Sequence, residues 1–284
     1  MSPTPRDADV RRVSKIRQYV DGAGSTAVFR IESEKLVRSS VVLTGLFALL
    51  SAFFFVVFPA FAEEAAVIEE AFPAFLVGLL GIEEIHTIEG FVGGYIFSVV
   101  WVLFAGIYFA YAAAGLIAAD VRVRRMDLLL SNPISRESVV AQKVAALWVP
   151  LVTLNLGLLV VVYAAAAVIG ETLDPLSLGM AHLLTVPYLL VCAGIGIVFS
   201  VTLDRVESAQ AGALGLVFVL WLIDGLSETV PAYEWLGAAS PSRYYDPSAI
   251  LVHEEYAVGD AAILLGAFVV LLGVAIAIFV RRDI

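Results

Sequence analysis

Residues Asp120 to Lys143 read DVRVRRMDLLLSNPISRESVVAQK, and the nature of this stretch decides the rest of the chain. It is the longest polar interruption between the apolar runs of the middle of the sequence. It carries Arg122, Arg124, Arg125, Arg136 and Lys143, with acid at Asp120 and Asp127. A short apolar run of Leu128, Leu129 and Leu130 is closed by Asn132-Pro133. Apolar segments long enough to cross a membrane stand on both sides.

Those segments set the class. Of 284 residues, 61% are hydrophobic and 15% charged, against about 25% charged in soluble domains. Several runs of roughly 20 apolar residues can each cross a bilayer as a helix. The spacing predicts six spans, at about 39–61, 92–119, 144–169, 179–203, 208–226 and 260–280. All six should be helices, because a backbone facing lipid must satisfy its own hydrogen bonds. Two parts follow: residues 1–38, a cytoplasmic N-terminal segment, and 39–284, a six-helix transmembrane domain. The N-terminal segment is too short to bury a core of its own. Its Arg6, Arg11, Arg12, Lys15 and Arg17 lead into polar residues, so no cleavable signal peptide is expected. The single cysteine, Cys192, sits in an apolar run, so no internal disulfide can form.

Charge gives the orientation. With the N-terminus in the cytoplasm, sixteen of the 17 Lys and Arg residues fall on the inner side and Arg243 alone falls outside. Dragging one Arg to the bilayer centre costs roughly 2.5–3.5 kcal/mol on insertion scales, and positive charge collects inside. An N-in, C-in chain is therefore expected. The net charge is −10 and lysine is scarce, a composition that resembles proteins of halophilic archaea.

Just ahead of the first span, residues 27–38 read AVFRIESEKLVR. Apolar Phe29 and Ile31 alternate with Glu34, Lys35 and Arg38. This pattern predicts an interfacial helix along the inner leaflet; the alternative is a plain helical extension of span one. The outer segment 62–91 is acidic, and its apolar stretch 72–82, too short to span, is expected to dip into the outer interface. The second outer segment, 227–259, carries Trp235, Tyr233, Tyr244, Tyr245 and Tyr256; Tyr and Trp favour the headgroup level, so it should hug the outer surface.

At this point the residues resemble the membrane subunits of ABC-2 type transporters, the permeases of export-type ABC systems. The resemblance rests on Asp120, Arg124, Arg125, Leu129, Leu130, Pro133, Ile134, Ser135, Arg136 and Lys143, in that order between spans two and three. Glu34, Lys35, Leu36, Arg38 and Ser39 before span one, Glu89-Gly90-Phe91 before span two and the closing Arg281-Arg282-Asp283-Ile284 add to it. Arg125-Met126 stands where the family has Gly-Thr. The resemblance implies a permease paired with a second permease subunit and with two ABC ATP-binding subunits, which would hold ATP and magnesium. It implies that the loop between spans two and three is a coupling helix seated in the ATPase, and that the helix before span one touches the ATPase too.

The residues support a docking role on their own terms. Leu128, Leu129 and Leu130 offer an apolar plug, and Arg122, Arg124 and Arg125 can pair with acidic groups on a partner or with lipid headgroups. Pro133 stops a helix, and Ser135 can cap the next one at Arg136. The plainer reading is a basic loop that only sets topology.

Other chemistry is thin. The sequence has no glycine-rich loop ending in Gly-Lys-Ser/Thr, so it carries no P-loop, and energy must come from a partner. No cofactor and no nucleic acid is expected on this chain. His253-Glu254-Glu255 and Glu83-Glu84-x-His86 leave an outer metal site conceivable, although solvated acidic loops read as well. A membrane enzyme using His86, His182 or His253, or a passive scaffold, are the competing functions. No charge lies near the middle of a span, which disfavours ion-coupled transport. Asn155 is the one strongly polar mid-span side chain, fit either for a helix–helix hydrogen bond or for a substrate path.

Overall fold

The computed structural model describes residues 26–282, except positions 66, 68–70, 72, 74, 75, 78, 79, 81–83, 132, 133 and 230. Among the described residues every regular element is helical. The first span is α1, Ala27–Glu63. The second is one run made of α2 (Ile88–Phe91), a π-helical stretch over Val92–Ala105 and α3 (Gly106–Arg122). A short helix, α4 (Arg125–Leu130), follows it. The third span joins α5 (Arg136–Ala146) to α6 (Trp148–Ile169). Then come α7 (Pro175–Thr202) and α8 (Val206–Thr229). The segment after α8 holds α9 (Glu234–Gly237) between two 3-10 turns, then α10 (Pro247–His253). The last span is α11, Val258–Arg281. Among the described residues six helices are thus long and apolar enough to cross a membrane; five enclose an expected span, and the fourth ends at Thr202, one residue short of the expected 203.

Local chemistry explains the boundaries. Asp174 caps α7: its Oδ2 accepts from the Ser177 N–H at 2.7 Å, with Pro175 in the first turn. That N–H holds the Asp174 carboxyl below the usual carboxylate range. Ser135 caps α5, as its spacing predicts, accepting from Ser138 N at 3.2 Å. The break between α5 and α6 falls at Leu147. Pro150, three residues on, has no N–H to give the Ala146 carbonyl, so the α-helical ladder lapses there. Gly170, at φ 87°, ends α6 in the left-handed region.

α7 is the axis of the bundle. It packs along α3 and α11 and touches α8 and α6, and 83% of its most apolar window is buried. Gly196 sets how near α3 can come. A Cβ there would lie 2.2 Å from the Ala110 carbonyl oxygen. One turn on, Ser200 Oγ accepts from the backbone N–H groups of Ile117 and Ala118 at 3.0 and 3.1 Å. The outside of the bundle is apolar, with Val56, Leu49 and Val168 72–86% exposed. Only a lipid surround makes such an exterior favourable.

The N-terminal part of α1 differs from a helix lying apart on the membrane. Residues 27–38 continue into the span without a break. No Gly or Pro interrupts 27–44, so nothing stops the helix. At 37 residues it is about 55 Å long, well beyond a hydrocarbon core of about 30 Å. Its first turns pack on α5. Phe29 is 38% exposed and Ile31 51%, while Val28 and Glu32 face inward. The candidate dip at 72–82 falls largely on residues outside those described.

Candidate functional site

Five charged side chains meet where α1, α3 and α5 converge. Lys143, on α5, is fully buried. Its Nζ donates to Asp120 Oδ2 at 2.6 Å and to Glu32 Oε1 at 2.9 Å. Arg125 NH1 donates to the other Asp120 oxygen at 3.0 Å, and Lys35 donates to Glu32 Oε1 at 2.8 Å. Asp120 and Glu32 are 3% and 7% exposed. An ammonium with two carboxylate partners satisfies the burial rule for charge. A further bond ties the same helices: Gln142 Oε1 accepts the Phe29 N–H at 3.2 Å. Thr26 makes no side-chain cap to α1, so Gln142 serves one of the orphan donors of its first turn.

This network fixes the root of α4. Helix α3 ends two residues after Asp120, and the chain turns at Arg124, whose φ of 56° is left-handed. A non-glycine residue is strained there by roughly 1–2 kcal/mol. Such strain persists only where the surroundings over-determine it. The turn throws Arg122, Arg124, Arg125 and Asp127 onto an exposed face. Arg122 also pairs with Glu207 at the start of α8. The leucines stand differently: Leu129 and Leu130 are half-buried against the bundle, and Met126 is fully buried beside them. Among the described side chains of α4 the exposed ones are Arg125 and Asp127, both charged, and the side chain of Leu128 lies outside the described residues. Pro133 lies outside the described residues.

Arg136 sits at the start of α5 but serves another helix. Its NH1 donates to the carbonyls of Phe279 and Val280 at 3.2 and 3.3 Å, and to that of Arg282. Its guanidinium stands 5.9 Å over the Phe279 ring. Arg282 in turn donates to the Val201 carbonyl at 2.7 Å and pairs with Asp204. The start of α5 and the last turns of α11 and α7 are laced together in this way, at the same end of the bundle as the Lys143 network.

Asn155 lies deep in the bundle. Its Nδ2 donates to the Leu151 carbonyl at 2.9 Å, which leaves Oδ1 facing His182 Nδ1 at 3.3 Å. A carboxamide oxygen only accepts, so the imidazole carries its proton on Nδ1. The rings of Phe97 and Trp101 meet His182 edge-on at 5.0 and 5.2 Å. The pair ties α6 to α7.

On the far side, Ser242 donates to Asp224 Oδ2. Arg243 lies 3.9 Å from the other Asp224 oxygen and 3.4 Å from Glu234. The one basic residue expected outside thus faces two acids. Among the described residues, no three His, Cys, Asp or Glu side chains are grouped to hold a metal.

Two members of the network are not obvious from sequence. Glu32 looks like one solvated charge among many, yet it shares a helical face with Val28 and Leu36. That spacing is the signal that marks it as buried. Lys143 opens the third span as the only lysine in the spans' vicinity after Lys35, and a lone ammonium at the mouth of an apolar run needs partners.

A bundle of six membrane-length helices with an apolar exterior and one braced, basic end is that of a polytopic membrane protein. Residues 26–284 match the family model described as ABC-2 family transporter protein, and the chain belongs to that family. It is a multi-pass protein of the plasma membrane, a permease subunit of an ABC transporter rather than an enzyme. No curated protein matches the chain.

Proposed function

We propose that this permease moves its cargo with force from a separate ABC ATP-binding subunit, received through α4 and the first turns of α1. The observation that carries this reading is the buried Lys143–Asp120–Glu32 network, which makes the exposed Arg122–Asp127 corner, α5 and the start of α1 one rigid body. A push on α4 then displaces three spans together. The exposed arginines call for an acidic rim on the ATPase, since guanidinium–carboxylate pairs give orientation as well as attraction. The ATPase binds the nucleotide and magnesium; this chain binds neither.

In this reading the basic end of the bundle faces the cytoplasm, as the positive-inside bias requires, and both termini lie there. The working unit holds two permease subunits, this chain with a second copy or a homologous one. Direction is outward, by the resemblance to export systems, and the acid-rich, lysine-poor composition suits a salt-loving archaeal host. The Asn155–His182 pair is a helix–helix clasp rather than a wall of the cargo path, because Asn155 spends both amide groups on neighbours.

Co-purification tests the docking. The permease should bring down a P-loop ATPase from mild detergent. The double substitution Arg122→Glu with Arg124→Glu should lower its recovery at least about tenfold, whereas Leu129→Asp with Leu130→Asp strikes side chains packed on the bundle and reports on the fold instead. Recovery unchanged by the arginine reversals would end the proposal, because those side chains are exposed and their loss leaves the fold intact.

A further inference from the structure

The sequence places Arg136 in the docking loop, and the structure sets its guanidinium on the end of the last span. The final four carbonyls of a helix have no partner within it, and a cation at that end meets the negative end of the dipole. Arg136 does both for α11, through the Phe279, Val280 and Arg282 carbonyls. Arg282 repeats the arrangement one helix further on, donating to Val201 O in the last turn of α7. Arg136 and Lys143 stand seven residues apart on α5, two turns along one face. One short helix thus grips α1 and α3 by Lys143 and α11 by Arg136.

We propose that Arg136 is a positioning residue for transport: it carries the displacement of the α4–α5 unit into α11, and Arg282 hands it on to α7. This rests on the docking reading above. The arrangement divides the input into two branches, one through carboxylates to spans one and two, one through helix-end carbonyls to spans six and four. A guanidinium suits the second branch, since its forked donors can hold several carbonyls at once while it lies over Phe279.

Hydrogen exchange read by mass spectrometry tests this on the full permease in lipid nanodiscs, alone and with its ATPase. In the permease alone, Arg136→Gln should speed exchange of the last turn of α11 at least about fivefold, by freeing its carbonyls. R136K, which keeps the cation, should give an intermediate value. In the complex, trapping with ATP and vanadate should change exchange at 276–282 in the unsubstituted protein. That nucleotide response should vanish in Arg136→Gln, while ATPase recovery stays within about twofold. Exchange at 276–282 that is the same with Arg or Gln at 136 overturns the clasp. A nucleotide response that survives Arg136→Gln overturns the relay, even if the end of α11 frays. Should Arg136→Gln not fold, R136K and Arg282→Gln give the same comparison. Failure of the unsubstituted permease to bind any ATPase sinks the docking reading, and the relay with it; bound ATPase with an unresponsive α11 sinks the relay alone.

Discussion

At the scale of the residue, Lys143 decides more than any other side chain. Among the described residues it is the one ammonium that faces two buried carboxylates across three helices. Replacing it with methionine leaves Asp120 and Glu32 buried with only Arg125 and Lys35 as partners. Breaking a buried pair from one side costs about 3–5 kcal/mol, so Lys143→Met should sharply lower the thermal midpoint in detergent. Arg122→Gln removes an exposed ion pair and should cost less than about 1 kcal/mol. Equal midpoints for the two variants would mean that the network carries no stability. Sequence alone shows the charges of this site but not their roles. Asp120, Arg125 and Lys143 stand in a recognisable order, yet nothing local says that Arg125 turns back to Asp120. Glu32 is hidden because Lys143, its buried partner, lies 111 residues away along the chain. Arg136 reads as a docking residue, and its bonds to backbone carbonyls at the end of α11 leave no trace in side-chain identity.

At the scale of the element, the spans are the most legible part. A bilayer demands long apolar runs, so hydropathy and length locate all six helices. What is not legible is how the helices meet. The π-helical stretch Val92–Ala105 has no signature in its sequence; it is visible only in the structure, where the Val102 carbonyl takes the Tyr188 hydroxyl at 2.7 Å. The close approach of α3 and α7 is half-legible: Gly194 and Gly196 both suggest close helix packing, but only Gly196 faces α3, while Gly194 lies against Leu271 and Phe268 of α11. The structure separates packing glycines from idle ones. Gly196→Ala drives a Cβ toward the Ala110 backbone, and backbone cannot move aside cheaply. It should destabilise by about 1–3 kcal/mol or more. Gly215→Ala, on α8, meets nothing within 4 Å and should be neutral or slightly stabilising, since alanine favours the helix by roughly 1 kcal/mol. Thermal unfolding of the two variants side by side checks the contrast.

At the scale of the whole molecule, the two ends of the bundle differ in kind. One end closes with short helices around Asp224 and Arg243. The other gathers the start of α1, the α3–α4 corner, α5 and the last turns of α7 and α11 into one set of polar ties. In the function proposed above this second end is the cytoplasmic one, and force applied at α4 reaches several spans through those ties. The single native cysteine is buried, so an introduced thiol reports on its own position. The most direct measurement places Cys at Ser131, exposed just after α4, and follows its reaction with a membrane-impermeant maleimide in intact cells and in inside-out vesicles. The account predicts labelling only in the inside-out vesicles, and protection there when the ATPase subunit is bound. Labelling of Ser131→Cys from outside intact cells, or no protection by a bound ATPase, would contradict it.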